Sequence, residues 1–108
     1  MSTVSARFRQ GPLESKRYVL NYTLQLSAGE SITNVVVNSI IKTVGNGAGT
    51  LTVTSIALLP AVSGAVPGAA YFVQGGLDQE QYEVQFLATT SVGQILEDVV
   101  AYSIMEKT

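Results

Sequence analysis

Tyr82-Glu83-Val84-Gln85-Phe86-Leu87-Ala88 decides the fold class. Tyr82, Val84, Phe86 and Ala88 recur at every second position with Glu83, Gln85 and Leu87 between them, the period of a strand with one buried face. Ser91-Val92-Gly93-Gln94 then turns the chain, and in Asp98 to Ile104 the residues Val100, Tyr102 and Ile104 again share a face. The two segments predict a C-terminal β-hairpin. Phe86 is read as core. Tyr82, which follows a glycine-bearing turn, is read as the tyrosine of a corner whose hydroxyl bonds to upstream backbone.

The same period appears on moving outward. Tyr71-Phe72-Val73 is a short apolar strand stopped by Gly75-Gly76, and Thr50 to Leu59 has Thr52 and Thr54 on one face before Pro60 ends it or places it at an edge. Ala61 to Ala70 is small and rich in glycine and proline, which suggests a loop that tolerates close backbone approach. Tyr18, Leu20, Tyr22, Leu24 and Leu26 alternate with polar residues and Val19, and the break at Ser27 to Ser31 leads into a β-branched run, Ile32 to Ile41, whose Val35 and Val37 are expected to face the core. Gly45-Asn46-Gly47-Ala48-Gly49 reads as a flexible loop between two strands. It is not a phosphate cradle, because Thr50-Leu51 stands where a Walker loop needs Lys and then Ser or Thr. About seven short strands and no helical periodicity predict an all-β, immunoglobulin-like β-sandwich in a single domain.

Composition narrows the chemistry. The 108 residues are 46% hydrophobic and 13% charged, too apolar for a disordered chain, and they include no histidine and no cysteine. The usual proton shuttle and metal ligand, thiol nucleophiles, thiolate zinc sites and disulfides are therefore absent from the chemistry available. Met1 to Pro12 contain no apolar block that would serve as a secretory signal. The most apolar stretch, Ile56 to Val73, is interrupted by Pro60, Gly64, Pro67 and Gly68, short of the roughly 18 uninterrupted residues of a membrane span.

The charge is unevenly distributed. Arg7, Arg9, Lys16 and Arg17 against Glu14 give residues 1–17 a net +3, whereas the rest of the chain carries −5. The reading is an extended basic N-terminal arm, residues 1–17, ahead of a sandwich domain, residues 18–108, with those four cations as partner-binding residues. Four cations without interleaved aromatics make a poor nucleic-acid footprint, so the expected partner is protein and not nucleic acid or membrane.

Two carboxylate pairs, Asp78 with Glu80 and Glu97 with Asp98, raise the question of acid–base catalysis. Glycosidase chemistry needs carboxyls facing each other across a cleft, and both pairs are expected to be solvated near turns. Asp78 and Glu80 also lack the oxygen-ligand spacing of an EF-hand. The chain is read as a non-enzyme without cofactor or metal. Asn21-Tyr22-Thr23 matches the glycosylation sequon by chance.

Two clusters carry a likeness to a known family. Val19-Leu20-Asn21-Tyr22-Thr23-Leu24, followed by Gly29-Glu30-Ser31-Ile32 and Val35-Val36-Val37, resembles the opening of small immunoglobulin-like phage fibre-tail adaptor proteins. Val73-Gln74-Gly75-Gly76, then Tyr82-Glu83-Val84 and Ala88-Thr89-Thr90-Ser91-Val92-Gly93-Gln94, is similar to the second half of such a domain. The resemblance covers most of Val19 to Ile104. It implies a structural virion protein, a fibre-tail adaptor or tail-associated connector, which assembles symmetrically as a homo-oligomer with other virion proteins of tail, fibre or capsid after folding in the host cytoplasm. A capsid decoration protein and a small carbohydrate-binding or adhesion module are the alternatives.

Overall fold

Strands form where aromatic and β-branched residues alternate with polar ones. They are β1 (Ala6–Gln10), β2 (Ser15–Asn21), β3 (Ile32–Val44), β4 (Leu51–Leu58), β5 (Gly68–Gly75), β6 (Gln81–Thr90) and β7 (Ile95–Ile104), with one 3-10 turn at Thr23–Gln25. The computed structural model of the chain describes residues 4–45 and 47–106. Met1 to Thr3 of the expected arm, Asn46 of the glycine loop and Lys107 lie outside the described residues.

Two sheets pack face to face, one ordered β1-β7-β6-β3 and the other β2-β5-β4. The C-terminal hairpin is present, with Tyr82 opposite Tyr102 and Val84 opposite Val100. Phe86, Val84, Tyr102 and Ile104 from one sheet meet Tyr18, Leu20, Tyr71 and Val73 from the other, and all are buried. Val35 is buried and Val37 packs against the core from a half-buried position. The aromatic rings form a chain across the interior. Tyr71 lies 4.7 Å from Phe86, Tyr18 lies 5.1 Å from Tyr102 edge-on, and the Tyr71 and Tyr102 hydroxyls share a hydrogen bond of 2.6 Å. That bond satisfies two phenols that burial would otherwise penalise. Desolvation pushes the Tyr71 hydroxyl up to about 12.

The structure replaces the extended arm with two strands. β1 runs parallel to β7, Ala6 opposite Val100 through Gln10 opposite Ile104, and β2 pairs antiparallel with β5, Ser15 opposite Gln74 through Asn21 opposite Gly68. A boundary at residue 17 therefore cuts through β2, and residues 6–17 belong to the sandwich. Phe8 supplies the apolar contact for this: its ring lies 4.7 Å from Tyr18 and 5.9 Å from Tyr102.

The alternation from Tyr18 ends earlier than its apolar residues suggest. Beyond Tyr22 the chain enters the 3-10 turn, and Leu24 is fully exposed. Gly68 allows β2 and β5 to approach closely, since a Cβ there would stand 1.9 Å from the Leu20 carbonyl oxygen. Edge strands β3 and β4 are interrupted. β3 shifts register between Ile32/Asn34, Val37/Ser39 and Lys42/Val44, and β4 shifts between Thr54 and Ala57, where Ser55 has φ 56°. Such bulges twist an edge away from flat pairing with another chain.

Two substitutions test this packing. Phe86→Ala is expected to lower unfolding free energy by about 3–5 kcal/mol, read from urea denaturation midpoints. Gln10→Ala, which removes the amide joining β1 to β2 and β5, is expected to cost about 1–3 kcal/mol by stranding a buried carbonyl and a phenol.

Candidate interaction site

In Ala6-Arg7-Phe8-Arg9-Gln10 the strand period buries Gln10, turns Phe8 toward the Tyr18 and Tyr102 rings while leaving it 39% exposed, and sets Arg7 and Arg9 exposed on the outer face of the first sheet. Their partners across the ladder are Ala101 and Ser103, side chains too short to cover them. In β2 the exposed Arg17 stands on the outer face of the second sheet opposite Phe72, while Lys16 is half-buried opposite Val73. The four cations sit on one lateral edge of the sandwich. The fold brings Arg7 and Arg9 together and sets Arg17 on the opposite face. None of the four enters an ion pair among the described residues.

This edge is held by Gln10, which sequence reading passed over. Its side chain is fully buried, the Nε2 group donates to the carbonyls of Glu14 (3.0 Å) and Val73 (2.7 Å), and its Oε1 accepts the Tyr18 hydroxyl at 2.8 Å. The Met105 N–H donates to the Gln10 carbonyl at 2.9 Å. Every polar atom of the amide that must leave water thus finds a partner.

Three turns share one device. In Gly11-Pro12-Leu13-Glu14, Ser27-Ala28-Gly29-Glu30 and Leu77-Asp78-Gln79-Glu80, the last N–H donates to the first carbonyl at 3.1, 3.0 and 3.1 Å. In each, the glutamate carboxylate accepts the first N–H in return, at 2.6, 2.8 and 2.9 Å. Gly29 (φ 79°) and Gln79 (φ 70°) hold the left-handed third position. The repeated spacing of glutamate three residues after a turn's first residue is the sequence signal for it.

Glu80 is the most deeply engaged. Contrary to the expectation of a solvated pair, it is buried. It accepts the Tyr82 hydroxyl and pairs with the Lys42 ammonium at 2.8 Å. Lys42 also donates to the Gly47 carbonyl at 2.6 Å, so the glycine loop closes over the carboxylate, and a Cβ on Gly49 would lie 2.2 Å from Glu80 Oε1. Tyr82 is buried with its hydroxyl on this carboxylate rather than on upstream backbone. Lys42 and Tyr82 hold the Glu80 carboxyl down at about 2, and the Thr90 hydroxyl and Ser27 N–H lower that of Glu30. Asp78 accepts the Glu106 N–H, Asp98 accepts the Ser5 hydroxyl, and Glu97 is exposed. Asp78 with Glu80 share one turn and Glu97 with Asp98 share one strand, so neither pair spans a cleft. Among the described residues no group of three or more acidic side chains is placed to hold a metal.

Residues 10–102 match the family model described as Podophage GP4 fiber-tail adaptor protein gp77. No curated protein and no solved structure matches the chain.

The folded Glu80 carboxyl takes up a proton less readily than an unfolded one, so protonation favours unfolding. Stability is expected to decline as pH falls from about 4.5 to about 2. Glu80→Gln should be less stable at neutral pH and decline more shallowly with acid, with Glu30 supplying the remaining slope. Denaturation midpoints measured across that range check this, and parallel profiles for the two proteins would contradict it.

Proposed function

This chain belongs to the podophage GP4 fiber-tail adaptor family, a structural family of the phage tail, and from that premise we propose that its β1–β2 edge docks on an acidic surface of a neighbouring tail or fibre protein. The observation that carries this reading is the pair Arg7 and Arg9: exposed on one face, fixed on a hydrogen-bonded strand, and without an ion-pair partner among the described residues, with Arg17 on the other face of the same edge. Guanidinium groups so placed are preorganised for carboxylates, and little side-chain-bearing backbone has to be ordered on docking. Lys16 contributes from its half-buried position beside them.

The role proposed is mechanical and not enzymatic. Glu14, Glu30 and Glu80 are engaged in turns, each holding a backbone N–H, and neither the Asp78–Glu80 nor the Glu97–Asp98 pair faces across a cleft. Several copies assemble symmetrically in the particle, and the chain folds in the host cytoplasm without needing disulfides. The sheet order supports an immunoglobulin-like reading, since β2-β5-β4 facing β7-β6-β3 follows the B-E-D and G-F-C pattern, with the first strand beside the last.

Tail particles assembled without this chain provide the test. Added wild-type protein is expected to bind them at a rate that falls with ionic strength, and Arg7→Gln/Arg9→Gln is expected to bind more slowly with a weaker salt dependence and an unchanged melting temperature. Equal rates for both proteins at every salt concentration would remove the basic edge from the interface.

A further inference from the structure

Of the edge strands, β3 and β4 are interrupted by register shifts, whereas β1 pairs with β7 without one from Ala6 to Gln10. Such shifts are one way a sheet edge is closed to another chain, and β1 lacks them. Hydrogen-bond parity identifies its open main-chain groups. In a strand the N–H and C=O of one residue point to one side, and those of the next residue to the other. The Met105 N–H donates to the Gln10 carbonyl at 2.9 Å, so Gln10, Phe8 and Ala6 address β7. On β7 the Ile104 N–H donates to the Glu80 carbonyl at 2.8 Å, on the β6 side, which leaves the odd-numbered residues of β7 to meet β1 and agrees with that assignment. Arg7 and Arg9 therefore turn their N–H and C=O groups to the free side of the sheet.

The side chains say what fits there. Arg7 and Arg9 stand on the outer face, roughly 7 Å apart along the strand, and neither enters an ion pair among the described residues. Phe8 lies on the inner face and stays exposed at the margin beyond its contacts with Tyr18 and Tyr102. A strand laid against β1 sets its own side chains beside these in the same order, about 5 Å away. Acidic groups at alternate positions meet the two guanidiniums, and an apolar group between them meets the exposed part of the Phe8 ring. A second copy of this chain does not supply that pattern. Pairing β1 with another β1, Phe8 inward in both, sets arginine beside arginine, which is unfavourable. No segment of the sequence has an apolar residue flanked on both sides by acidic ones.

We propose that β1 takes its partner by strand addition: an extended segment of another protein, with acidic residues at two alternate positions and an apolar residue between them, joins the β1-β7-β6-β3 sheet beside β1. This rests on the reading of the basic edge as a docking surface, and it names what that edge takes and how. Main-chain bonds to Arg7 and Arg9 give affinity, and the alternation of charge and apolar surface gives selectivity.

The full chain is titrated with two N-acetylated, C-amidated peptides of one composition, Ser-Thr-Glu-Val-Glu-Thr-Ser and Ser-Thr-Glu-Glu-Val-Thr-Ser. The alternating peptide is expected to bind about tenfold more tightly than the other. It is also expected to slow amide hydrogen exchange at Arg7 and Arg9, while Phe8 and Gln10, already bonded to β7, stay as they are. Equal affinities, no binding by the alternating peptide, or binding without slowed exchange at Arg7 and Arg9 overturns the inference. Arg7→Gln/Arg9→Gln, once its melting temperature is shown to match wild type, is expected to lose the preference between the peptides, and a preference retained in full overturns the inference too. The docking reading fails separately. If that variant enters tail particles as fast as wild type at every salt concentration while the alternating peptide still protects Arg7 and Arg9 of the wild-type chain, the strand-binding site stands without the docking role. Salt-dependent entry that needs the two arginines, together with equal peptide affinities, leaves the docking reading standing and removes strand addition.

Discussion

The sandwich depends on one crossing: within the four residues after Gln10 the chain leaves the sheet of β7 and enters the sheet of β5. A strand that switches sheets must turn its backbone through the interior margin, where unpaired polar groups are costly. The Gln10 amide meets that requirement by bonding Glu14, Val73 and Tyr18 at once, and the Glu14 carboxylate caps the turn. With the crossing fixed, Phe8 covers Tyr18 and Tyr102 at the side of the sandwich. The same crossing places Arg7 and Arg9 on one outer face and Arg17 on the other.

A chain without cysteine has to close its loops by other means, and here glutamate does much of it. Three turns end in a carboxylate that reaches back to a backbone N–H, a charge-assisted bond stronger than a neutral one. At Glu80 the arrangement extends to Lys42, Tyr82 and the glycine loop, so one buried carboxylate organises β3, β6 and the connections around them. Much of the chain's negative charge is therefore structural.

An adaptor has to be rigid where it is gripped. Backbone hydrogen bonding holds the proposed basic edge through two strand ladders and ties the loops around Ser31 to one another. The bulges in β3 and β4 act in the other direction, lowering the tendency of a weakly charged sandwich to pair through its edges.

The sequence alone determined the class of fold and the family. Alternation over residues 82–88 and 98–104 is a local property, and a strand with one buried face is the one regular structure with that period. The absence of histidine and cysteine removes imidazole and thiol side chains from the chemistry this chain can offer. The likeness in Val19 to Val37 and Val73 to Gln94 pointed to the adaptor family that the match over residues 10–102 established. Only the tertiary structure decided that residues 6–10 and 15–17 are strands. In Ala6-Arg7-Phe8-Arg9-Gln10 the inward positions hold one aromatic, one alanine and one amide, too little apolar contrast to signal a strand. Their pairing with Val100 to Ile104 is settled by contacts distant in sequence. The burial of Glu80 was hidden for the same reason, because a carboxylate's environment is set by the Lys42 and Tyr82 that folding brings to it and not by the residues beside it in the chain.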